Sequence, residues 1–124
     1  MILEEKLSEA VIGAAIEVHR VLGPGLLESA YQRCMEHELE LRGIPFRRQV
    51  GLPVTYKSVR LDCGYIMDLV IDGRIVVELK AVETLNDLHE AQLMTYLRLS
   101  RIRVGLLLNF NSVVMRNGMV RRVL

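Results

Sequence analysis

The chain has 124 residues, 51% hydrophobic and 25% charged, with a formal net charge of +1. That balance is globular and excludes a disordered chain or a polyionic tail. No apolar run approaches the roughly 18 residues a membrane span needs, and "MILEEKLSEA" is acidic where a secretory signal is basic, so one domain over residues 1–124, cytoplasmic and without membrane partners, is expected.

Residues 4–21 carry Leu7, Ala10, Val11, Ala14, Ala15 and Val18 at helical spacing, which predicts a first helix. "GPG" at 23–25 breaks it, and a second helix is predicted over about 26–42, ending at Gly43. "IPFRRQVGLPVTYKSVRL" reads as strands with turns, its prolines marking edges or ends. Strands follow at about 64–71 and 75–81. A third helix spans about 86–99, with Asn86 and Asp87 as cap candidates. "RVGLLLNF" is a further strand, and residues 112–123 suggest a terminal hairpin around "NG". The order ααβββ(β)αβ(ββ) is that of an α/β chain, a mixed central sheet flanked by helices.

Charge is segregated along this order. Residues 1–40 hold eight acidic and three basic side chains, and residues 61–97 hold seven and two; residues 41–60 and 98–124 hold five and six basic ones and no acid. If the two basic segments meet, they form a phosphate-facing surface; the alternative is solvated arginine on strand edges. Aromatic residues make up 5% and tryptophan is absent, so no stacking platform for single strands is evident. Cys34 and Cys63 lack metal-ligand spacing and are expected to be reduced, buried thiols.

The segment "IVVELKAVE" at 75–83 places Glu78 and Lys80 inside an apolar run. Burial of an unpartnered charge is costly, so these residues need a partner. The preceding strand holds one charge, Asp68, and strand parity relates the three. A two-residue turn at Asp72 and Gly73 would send Asp68 and Glu78 to opposite faces of the sheet. A three-residue loop with Gly73 left-handed puts Asp68, Glu78 and Lys80 on one face. The odd loop is therefore expected. Two carboxylates and a lysine in a half-buried pocket suit a hard divalent cation such as Mg²⁺, bound through one or two carboxylates. A structural ion pair of Lys80 with Glu78 or Asp68 is the competing reading.

Asp68 and Glu78-Leu79-Lys80, nine residues apart, resemble the signature of the PD-(D/E)xK nucleases, with Met67 where the literal motif has proline. Gly25, Glu28 and Tyr31 match Gly-x-x-Glu-x-x-Tyr, and with "VELKAVE" and "HEAQLMTYL" the pattern resembles the GxxExxY family of that superfamily from about Val11 to Leu124. The resemblance implies a restriction-endonuclease-like core and hydrolysis of phosphodiester bonds, in DNA rather than RNA. It makes Asp68 and Glu78 metal ligands for Mg²⁺ or Mn²⁺, completed by the Leu79 carbonyl, and Lys80 the catalytic lysine. Glu28 resembles the helical acid that several such enzymes add to the metal site. Gln92 and Tyr96 resemble the Gln-x-x-x-Tyr element that supports the active site in RecB-like nucleases.

Each added residue also has a bland reading. Glu28 suits a helix start, Tyr31 a core position with its hydroxyl bonded, and Gln92 and Tyr96 one helix face. His89, ahead of His19, is a weaker candidate for touching the site. A homodimer or a partner protein would supply specificity in so small a chain. The alternative function is a non-catalytic nucleic-acid-binding or adaptor domain that keeps the fold.

Overall fold

The computed structural model describes residues 2–124. Three helices, α1 (Glu5–Leu22), α2 (Glu28–Leu41) and α3 (Asp87–Ser100), surround five strands: β1 (Phe46–Tyr56), β2 (Val59–Ile71), β3 (Ile75–Lys80), β4 (Val104–Asn109) and β5 (Met119–Val123). The sheet order follows the chain, β1-β2-β3-β4-β5. Only β3 and β4 are parallel, joined by the α3 crossover; the other pairs are antiparallel. This is the mixed α/β sheet expected of a restriction-endonuclease-like fold.

Both faces of the sheet centre are covered. Leu69, Ile71, Ile75, Val77, Leu79, Val104, Leu106 and Leu108 pack under α1 and α2. Val70, Val76 and Leu107 pack under Leu93 and Leu97 of α3. The strands therefore read as continuous apolar runs rather than as alternation. Gly105 lies directly beneath α3, where a Cβ would stand 2.8 Å from Leu93 Cδ1. The α3 start follows its sequence: Asn86 accepts from the His89 N–H, and the His89 ring accepts from the Asn86 N–H, a reciprocal cap.

The β2–β3 connection is the three-residue loop that parity requires. Ile71 pairs with Ile75, and Asp72 and Gly73 both take positive φ, 51° and 67°. The same count sets Asp68 opposite Glu78.

The β1–β2 ribbon departs from simple alternation. Phe46, Leu69 and Ile71 belong to the α1/α2 side, yet Val50, Leu52 and Met67, of matching parity, belong to the α3 side. The faces exchange at Gln49, which has φ 49° and drops out of the ladder opposite Asp68. Pro53 is accommodated because β1 is an edge strand and the ladder shifts register between Leu52 and Val54.

Two expectations are corrected here, and one open alternative is resolved for the strands. Residues 112–118 form no strand; they turn through a short 3-10 helix, Met115–Gly118, and only β5 pairs back on β4. The strands of the two basic segments do not meet, since β1 and β5 are opposite edges of the sheet; only Arg98, on α3, shares a groove with β1. Cys63 is exposed and Cys34 half-buried, both as free thiols. No helix among the described residues is long and apolar enough to cross a membrane.

Candidate active site

The β2–β3 ladder runs through only three pairs, the last being Leu69 with Val77. Beyond them the strands part, and carboxylates replace the ladder bonds. Leu79 N–H donates to Asp68 Oδ2 at 2.8 Å, and Asp68 N–H donates to Glu78 Oε2 at 2.7 Å. The second bond depends on Gln49: because that residue leaves the ladder opposite Asp68, the Asp68 amide is free for Glu78. Each acid thus spends one oxygen as a clamp across the fork. Asp68 Oδ1 and Glu78 Oε1 meet no protein donor among the described residues.

In an extended strand the N–H and C=O of one residue point the same way. Since the Leu79 N–H points at Asp68, its carbonyl opens toward the same gap, where the β2–β3 ladder has already ended. The Leu79 side chain stays in the α1/α2 core.

The electrostatics are those of two buried acids whose charge the nearby Lys80 offsets only in part. Glu78 is 4% exposed. Burial first, and then the charge of Asp68, push its carboxyl up to about 8. Burial also raises Asp68, with Glu28 adding repulsion and Lys80 and the Leu79 amide opposing it. Lys80 is close enough to be felt but forms no ion pair with either acid. Its ammonium donates instead to Gln92 Oε1 at 3.5 Å. The competing reading of a structural Lys80 ion pair therefore fails.

Gln92 and Tyr96 both reach the site from α3, one turn apart. Tyr96 is buried, and its phenol is raised by burial and by the nearby Glu78 and Asp68. Glu28 is the first residue of α2 and exposed. It contributes charge to both acids, yet no three Asp, Glu, His or Cys side chains gather into a metal-binding cluster among the described residues. The core acid set is thus the pair Asp68 and Glu78.

Tyr31 and Gly25 organise the turn before α2. The Tyr31 hydroxyl donates to Gly23 O at 2.6 Å and accepts from Leu26 N–H at 3.1 Å, while its ring stacks on Phe110. Gly25 takes φ 102° in the turn so pinned. Neither histidine touches the site: His19 Nε2 bonds the Ser112 carbonyl, and His89 caps α3.

Three supporting residues escaped the sequence reading. Gln32, one turn after Glu28, donates to the Asp68 carbonyl at 3.1 Å and to buried Glu36, tying α2 to the fork. Its i, i+4 spacing from Glu28 was the available signal. Asn109, aligned with Lys80 on the neighbouring strand, is 2% exposed and brackets Val82, accepting from its N–H and donating to its C=O. It fixes the chain just after the lysine. Tyr65 packs edge-on against Tyr96 with ring centres 6.4 Å apart; the exchange of faces at Gln49 brings it there, and parity alone pointed elsewhere.

No curated protein and no solved structure matched the chain. A family model described as the PD-(D/E)XK nuclease superfamily matches residues 5–123. With that match across nearly the whole chain, and the acids and lysine gathered at the fork, the chain belongs to the PD-(D/E)XK nuclease superfamily.

Proposed function

We propose that this protein is a divalent-metal-dependent nuclease that hydrolyses phosphodiester bonds, in DNA rather than RNA, at the fork between β2 and β3. One observation carries the reading: two facing carboxylates lie buried together, and Lys80 offsets their charge only in part, its ammonium contacting Gln92 rather than pairing with either acid. A buried acid pair arranged this way gains most from a bound cation. Asp68 Oδ1, Glu78 Oε1 and the Leu79 carbonyl form an all-oxygen donor set, which suits Mg²⁺ or Mn²⁺. Glu28, at the mouth, would reach the ion through water.

Once bound, the metal would acidify a coordinated water and take up charge on the phosphate. The chain's own contribution is placement. Asp68 and Glu78 hold their free oxygens at a fixed separation because each is clamped by a backbone amide. Lys80, not ion-paired with either acid, orients the attacking oxygen and donates to the charge growing on the phosphoryl group. Gln92 fixes the ammonium, and Tyr96 closes the floor behind the acids. Exposed Arg47 and Arg48 of β1, level with Val70 and Leu69, would supply sequence-independent phosphate contacts on one side of the fork.

Calorimetry with Mn²⁺ on wild type and Asp68→Asn, followed by a cleavage panel of single-stranded, duplex and branched DNA and RNA, tests this. Metal binding lost in Asp68→Asn, and metal-dependent cleavage lost in Lys80→Ala, are expected. Cleavage equal in wild type and Lys80→Ala would refute the assignment. Metal binding without cleavage of any substrate would make the protein a non-catalytic nucleic-acid-binding domain.

A further inference from the structure

Beside the fork lies a groove of about 500 Å³, walled by Val54, Tyr65, Leu88, Gln92, Tyr96 and Arg98. Its lining is mainly apolar, yet it stands open: Tyr65 is 46% exposed and Leu88 77%. It is continuous with the candidate active site through two residues. Gln92 accepts from Lys80 and also forms the groove wall, and Tyr96 backs both the acids and the Tyr65 ring. Arg98 is exposed at the rim, steadied by a 3.0 Å bond to Thr95 Oγ1.

We infer that this groove is a nucleobase subsite, in which an unpaired base next to the scissile phosphate stacks on Tyr65. The inference rests on the nuclease reading of the fork. The occupant follows from what adjoins the groove. A phosphodiester at Lys80 carries a sugar and base on each side, and this apolar groove shares Gln92 with the lysine. A base in a duplex is stacked and paired inside the helix and cannot enter; a base in a single strand, flap or bulge can. An aromatic face accepts any base, so the contact selects strand state rather than sequence. Tyr96, edge-on behind Tyr65, fixes the plane of the exposed ring, while Arg98 at the rim adds a cation for a neighbouring phosphate. The site thereby belongs to an enzyme of unpaired strands, and the 5% aromatic content suffices because two of the four tyrosines meet here.

The test is equilibrium binding without divalent metal, so that cleavage plays no part. Labelled oligothymidylate is compared with an abasic strand of equal length and equal phosphate count, against wild type, Tyr65→Ala and Tyr65→Phe. Wild type is expected to bind the base-bearing strand about tenfold more tightly. Tyr65→Ala should reduce the preference to about twofold, and Tyr65→Phe should keep it. Thermal melting of the variants checks the fold, and the partial exposure of Tyr65 makes its truncation mild. Equal affinity of wild type for both strands, or an unchanged preference in Tyr65→Ala, overturns the subsite. The two failures are distinguishable: metal-dependent cleavage with no base preference would remove the subsite alone, and base preference in a protein that never cleaves would remove the nuclease alone.

Discussion

The acid pair makes a quantitative prediction about the metal-free protein. Glu78 carries its proton up to about pH 8 in the folded state, against 4.5 in an ordinary carboxyl. Its contribution to stability is therefore fully present below about pH 4.5 and is lost as pH rises toward and through 8, because the unfolded chain gives up the proton first. Each tenfold change in proton affinity is 1.36 kcal/mol. For a side chain that is 4% exposed, the loss comes to about 3 kcal/mol at pH 7 and about 4–5 kcal/mol at pH 9. Glu78→Gln removes the titration while keeping an acceptor for the Asp68 amide, and its new NH₂ can donate to Asp68. In EDTA, the variant should match wild type within about 1 kcal/mol at pH 5 and exceed it by about 4 kcal/mol at pH 9. In a chain this long that is a melting-point gap on the order of 10–15 °C. Urea unfolding at the two pH values reads the difference directly. Added Mn²⁺ should then stabilise wild type at pH 8 and leave Glu78→Gln nearly unchanged. A difference independent of pH, or a variant less stable than wild type at pH 9, would refute the claim that an only partly compensated buried charge sits at the fork.

Other positions give sharp expectations. Gly105→Ala drives a Cβ to 2.8 Å from Leu93 Cδ1, and overpacking of this kind should cost about 1–3 kcal/mol in urea unfolding. Asn109→Ala strips partners from Val82 N–H, Val82 C=O and Asn111 N–H; a loss of about 2–3 kcal/mol is expected, with faster amide exchange just after Lys80. Tyr31→Phe keeps the stack on Phe110 but deletes the bonds to Gly23 and Leu26, which should cost about 1–2 kcal/mol and open the 23–27 turn to limited proteolysis.

Much of this architecture is visible in the bare chain, for definable reasons. Helical periodicity marks α1, the Asn86 cap marks α3, and the short, largely apolar stretches 75–79 and 104–108 read as buried strands. The loop at Gly73 was legible because a parity error would have scattered three charges over two faces of a core. The parts that escaped depend on a backbone conformation that sequence does not announce. Gln49 is not a glycine, yet its left-handed φ inverts the ribbon and carries Tyr65 to α3. The separation of β2 from β3 is likewise invisible, since residues that will splay have the same composition as residues that will pair. Whether the basic segments form one surface could not be read from the chain, because sheet order is not chain composition. Residues 112–118 carried a turn dipeptide that favours hairpins, but the chain closes there in a 3-10 turn instead.

The clamps at the fork change how variants of this site must be interpreted. Asp68 and Glu78 act as stitches as well as ligands: each accepts a backbone amide of the facing strand just where the regular ladder has ended. An alanine at either position removes the stitch together with the carboxylate and leaves a backbone amide without its acceptor. Activity lost in such a variant therefore cannot be credited to metal ligation alone. Asparagine and glutamine, which keep an acceptor for the amide and take away only the charge, are the substitutions that separate the seam from the chemistry beside it.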